Sequence, residues 1–222
     1  MFGWFGRRKP GPPPILDWSS LPRTAIRHRM HCIADRKLEG TQLERTQAMF
    51  LYLVAFPVVP PTKTPSDDLL SAFVESAVAS ADFGGDNTML EAAVFWLFLI
   101  DLWFRKHPVP GDPRVVSNAM ADVLVESYQS EIPASYVNRL INDRLAIYAK
   151  PINESSDFAA AHRVLARFIE ATRGNTLPRF ANERINVLQP VGATEAFLVF
   201  ASVRNHYMAF MPMMENLFSQ HR

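Results

Sequence analysis

The chain has 222 residues, of which 48% are hydrophobic and 20% charged, and a formal net charge of +1. This balance excludes a disordered or strongly polyionic chain and suits one globular body with a full core. Cys32 is the only cysteine, so no disulfide can form within the chain, and because the first residues do not match a secretory signal a cytoplasmic protein is expected.

The charge is unevenly spread. Residues 1–50 hold nine basic and four acidic side chains, and the remainder holds fourteen and eighteen. Such a split marks a basic segment for an anionic partner, or two parts of one surface that attract each other.

Residues 1–18 read as a tail and residues 19–222 as one all-helical domain. The opening MFGWFGRRKP places its aromatics before its basic residues, the reverse of a secretory signal. Pro10, Pro12, Pro13 and Pro14 favour an extended spacer. Phe2, Trp4 and Phe5, followed by Arg7, Arg8 and Lys9, suit two roles, the third reading being a passive loose end. The aromatics can dock into an apolar groove on this chain or another copy. Alternatively they enter an anionic membrane surface while the basic residues stay at the headgroups.

The first helix is expected over 20–39, with Ile26, Met30, Ile33 and Lys37/Leu38 on one face and Gly40 as its stop. Thr41 and Glu44 have capping-box spacing and open a second helix that ends at Pro57. After the VVPPTKTP loop, Leu69/Leu70, Phe73/Val74 and Ala77/Val78 give a third, ending near Gly84. Thr88 and Glu91 repeat the capping-box spacing for a fourth helix over 88–106. From Ala92 to Phe104 its only polar side chain is Asp101. This run is shorter than the roughly 18 apolar residues of a membrane span. A helix apolar all round belongs inside a bundle, so 88–106 is expected as a buried central helix.

Asp112-Pro113 starts a fifth helix, carrying Val115/Val116, Ala119/Met120, Val123/Leu124 and Tyr128. A sixth begins around 130–133, carries Val137, Leu140/Ile141, Leu145 and Tyr148, and stops at Lys150-Pro151. A seventh runs from about Ser155 to Gly174. Residues 175–191 are ambiguous, and a last helix runs from about Thr194 to Phe218 with a kink at Pro212. The expected fold is thus a single all-α bundle of seven to eight helices.

Few residues suggest chemistry. His28, His31 and Cys32 can ligate a metal, but no second cluster of ligand spacing exists, so no bound metal is expected. Asp101 invites pairing with Arg105, four residues on, or with Arg204. Arg204, Asn205, His206 and Tyr207 point around their helix and cannot all face one pocket. His206 and His162 each lie on an apolar face, as core histidines do. Met208, Met211, Met213 and Met214 suit packing around the kink or an adaptable groove.

There is no Walker A loop, GxGxxG or GxSxG, and no cofactor is expected. The basic first helix has no recognition-helix pair, so nucleic acid is not expected as a partner. The expected function is a non-enzymatic helical interaction module that binds another protein or itself. The alternatives are an enzyme or ligand binder with a pocket near Asp101 and Arg204, and a peripheral membrane protein using residues 2–9.

Overall fold

The computed structural model describes residues 16–55, 88–107, 109–130, 132–154, 163–164, 166–168, 170–171, 212 and 214–218. The protein is an all-helical bundle, and no strand occurs among the described residues. A turn of 3-10 helix at Trp18–Ser20 leads into α1 (Arg23–Ala34), α2 (Gln42–Ala55), α3 (Thr88–Lys106), α4 (Val115–Tyr128) and α5 (Ala134–Glu154). Helical residues 214–218 pack on α3 near the carboxyl end.

The opening turn belongs to the folded body, not to the tail expected over 1–18. Trp18 is only 2% exposed. Asp17 caps the turn, its carboxylate accepting from the Ser19 amide at 3.0 Å and the Ser19 hydroxyl at 2.7 Å. Gly111 packs beneath this turn, where a Cβ would run into the Ser19 carbonyl.

α1 is shorter than its periodicity suggests. Ile26, Met30 and Ile33 are its buried stripe, and Lys37 is exposed beyond its end. The helix stops at Ala34 in a Schellman motif, six residues before Gly40. The Lys37 amide donates to the Cys32 carbonyl at 2.8 Å and the Arg36 amide to Ile33 at 3.0 Å. Arg36 takes the left-handed position at φ 57°, a place usually held by glycine. Gly40, at φ 139°, instead makes room for the next cap. The Thr41 amide donates to Glu44 Oε2 at 2.9 Å, and the Glu44 amide to Thr41 Oγ1 at 3.2 Å. The expected capping box is thereby formed at the head of α2.

In α3 every residue from Leu90 to Phe104 is buried, which accounts for a surface with no polar face. α3 packs against α2, α4 and α5. α4 is the most widely connected described helix: it meets α1, α2, α3, α5 and the opening turn. Its entry is the Asp112–Val115 turn, where Asp112 Oδ1 accepts from the Arg114 amide at 2.9 Å.

α5 does not stop before Pro151. It continues to Glu154 with the proline inside it. Proline in a helix interior removes a hydrogen bond and is costly. Here it lies in the last turn and its ring is buried, so apolar contact offsets the lost bond to the Ile147 carbonyl. The third expected helix near 65–83, the start of the seventh at 155, residues 175–191 and the last helix up to residue 211 lie outside the described residues. So does the tail.

Candidate functional site

Asp101 is the residue the sequence singled out. It is 8% exposed. Its Oδ2 accepts from Arg105 Nη2 at 2.7 Å, one helical turn on. Its Oδ1 accepts from the Ser117 hydroxyl of α4 at 2.9 Å. Both carboxylate oxygens are therefore engaged within the bundle. The same Ser117 hydroxyl also faces the Arg114 carbonyl at 3.0 Å, so one proton is shared between two acceptors. Asp101 ties the end of α3 to the start of α4. Arg204 and His206, the other two proposed members of this site, lie outside the described residues.

A second buried charge pair escaped the sequence reading. Glu91 and Arg144 are both 0% exposed. Arg144 Nε faces Glu91 Oε1 at 2.9 Å and Oε2 at 3.1 Å, and Nη2 reaches Oε1 at 2.8 Å. Thr88 is itself helical, and Glu91 turns its carboxylate into the core against Arg144. Glu91, expected as the partner of Thr88 in a capping box, thereby links α3 to α5. Burial alone would lower the arginine's affinity for its proton. The adjacent Glu91 charge and its hydrogen bonds outweigh that and hold the guanidinium firmly charged, with Tyr148 and Tyr136 adding to the effect.

Tyr148, one turn beyond Arg144, completes this cluster. Its hydroxyl is buried beside Glu91 and has no partner in strict hydrogen-bond geometry among the described residues. Burial, then the Glu91 charge, push the phenol well above its ordinary range, and Arg144 pulls partly back. Aromatic rings close the site: Phe95 and Phe98 each lie 5.4 Å from the Tyr148 ring, and Phe168 stacks on Phe95 at 4.5 Å. A guanidinium and a carboxylate enclosed together can fix the register of two helices. They have no exposed atom with which to exchange a proton with a substrate.

The signal for this pair was present in the sequence. Arg144 stands on the apolar stripe of α5, four residues from both Leu140 and Tyr148. Charged side chains are rarely fully buried unless paired. A cation on a core stripe therefore demands a buried acid, and Glu91 precedes the most apolar run of the chain.

The HxxHC cluster divides. Cys32 Sγ lies 3.4 Å from His28 Nε2, one turn back on α1. His31 turns instead to α4, where its Nε2 donates to Glu126 Oε2 at 2.9 Å. Among the described residues no group of three or more His, Cys, Asp or Glu side chains is placed to hold a metal ion. The same surface accounts for part of the charge asymmetry. Arg23 pairs with Asp122, and Arg27 and His31 with Glu126, so basic residues of α1 face acidic residues of α4. Hydrogen bonding and the charge of Asp122 strengthen proton binding by Arg23 against the opposing effect of burial.

Phe2, Trp4, Phe5, Arg7, Arg8 and Lys9 lie outside the described residues. No described helix is long and apolar enough to cross a membrane. Comparison of the chain with protein-family models, curated proteins and solved structures finds no match.

Proposed function

We propose that this protein is a helical interaction module, which acts by binding another protein or a second copy of itself. The observation that carries this reading is the matching of buried charge inside the bundle. Glu91 is satisfied by Arg144, and Asp101 by Arg105 and Ser117. Glu91 and Asp101 are the buried acids among the described residues, and both serve helix-to-helix contacts. A pocket centred on Asp101 would have to break two bonds that hold α3 to itself and to α4. In this reading Phe2, Trp4 and Phe5 supply a further apolar anchor, with Arg7, Arg8 and Lys9 in water.

The test compares the full chain with a chain lacking residues 1–9, by mass in solution and by sedimentation with anionic liposomes. The interaction reading expects the full chain to form a larger assembly than the shortened one, and liposome binding to be absent from both. A monomer that sediments with liposomes only when residues 1–9 are present overturns it in favour of the membrane reading.

A further inference from the structure

Residues 214–218 lie over a groove between α2 and α3. Met214 and Phe218 are buried, Leu217 is partly buried, and Glu215 and Asn216 are exposed. The Phe218 ring sits 5.4 Å from Phe104, 5.9 Å from Trp103 and 6.4 Å from Phe50. Two polar ties border this apolar contact. At the rim, His107 stacks on Trp103 at 4.2 Å, and its Nε2 lies 3.4 Å from Glu215 Oε2. Both partners are partly exposed, at 27% and 50%, so this tie is weak.

The inner tie is Gln47 of α2, which is wholly buried. Its Oε1 accepts from the indole Nε1 of Trp18 at 2.7 Å. Its Nε2 donates to the main-chain carbonyl of Leu217. An indole N–H can only donate and a carbonyl can only accept, so one orientation of the amide satisfies both ends. One buried side chain therefore holds the opening turn and the carboxyl-terminal residues at once. They lie 29 and 170 positions from Gln47, and each supplies one of the two bonds of its amide.

We propose that residues 214–218 act as a strap whose docking Gln47 couples to that of the Trp18 turn, so that the two segments engage and release together. When the strap lifts, the Gln47 amide loses its acceptor in a buried position. Turning towards a new acceptor then withdraws Oε1 from Trp18. The opening also uncovers the rings of Phe50, Trp103 and Phe104. Proteins open locally, segment by segment, at free energies below that of global unfolding.

Hydrogen exchange of the full chain, resolved by segment, tests the coupling. Phe218→Ala removes the apolar anchor and leaves Gln47 intact. It is expected to speed exchange at least tenfold at 214–218 and at least threefold at 16–21, with α4 amides still protected. In Gln47→Leu the same Phe218→Ala change is expected to leave 16–21 unmoved. If Phe218→Ala also opens α4, Trp18→Phe decides. It removes one neutral hydrogen-bond donor and should speed exchange at 214–218 by about three- to tenfold. Faster exchange at 214–218 with less than a twofold change at 16–21, or no response of 214–218 to Trp18→Phe, overturns the proposal.

Discussion

Breaking the Glu91–Arg144 pair from one side should be the most damaging single change in the described bundle. Both side chains are 0% exposed, and the guanidinium meets both carboxylate oxygens. Arg144→Met removes the cation and leaves an ionised or newly protonated carboxyl with no water to receive it. Removing one partner of such a pair costs about 3–5 kcal/mol. With a urea slope of about 2 kcal/mol/M, a loss of about 4 kcal/mol lowers the midpoint by about 2 M. Glu91→Leu should cost a similar amount by removing the carboxylate that faces the buried guanidinium. The double variant Glu91→Leu/Arg144→Met removes both charges and keeps the volume. It should recover most of the loss, because the attraction in a buried pair roughly offsets its desolvation. Urea unfolding of the four proteins, followed by circular dichroism, closes the cycle. Single variants that lose less than about 1 kcal/mol, or a double variant no better than the worse single, would refute the burial argument.

The remaining predictions concern nearby features. Tyr148 has a raised affinity for its proton in the folded state, so its stability contribution is full below the unfolded phenol value of about 10 and declines as pH rises above it. Tyr148→Phe should therefore match or slightly exceed the wild type in urea at pH 7, and exceed it clearly at pH 11; equal alkaline loss in both proteins would show that Tyr148 is not the cause. Arg36→Gly should gain up to about 1 kcal/mol, since glycine adopts the left-handed position of the α1 cap without a Cβ clash. A lower thermal midpoint in that variant would contradict the capping assignment. Asp101→Ala should cost about 1–2 kcal/mol, less than either Glu91 or Arg144 changes, because Arg105 is 31% exposed and can turn to water. A loss above about 4 kcal/mol would mean that Arg105 stays buried without its partner.

The helical class was legible because local signals agree with one another. The Thr41–Glu44 box, the stripe Ile26, Met30 and Ile33, and the apolar run in α3 all depend on residues close in sequence. The stop of α1 was misplaced because glycine marks a left-handed position only by preference, and Arg36 takes it when the Schellman bonds form. Pro151 was read as a breaker because the sequence does not show that its ring is buried. The candidate site was half legible. Asp101 stood out against apolar neighbours, and Arg105 at helical spacing named its partner. Glu91 reads in the sequence as a cap beside Thr88. Its link to Arg144, 53 positions away, needs the approach of two helices. Gln47 was missed for the same reason. It stands on the α2 stripe with Leu43, Phe50 and Leu51, and both its partners come from distant parts of the chain.

The interaction reading is tested most directly by native mass spectrometry of the chain isolated gently from its own cells, beside an Asp101→Asn variant that retains the fold. The account predicts a complex with a second copy or another protein, no small molecule bound in stoichiometric amount, and the same complex in the variant. A monomer carrying one small molecule per chain, lost in Asp101→Asn, would contradict it.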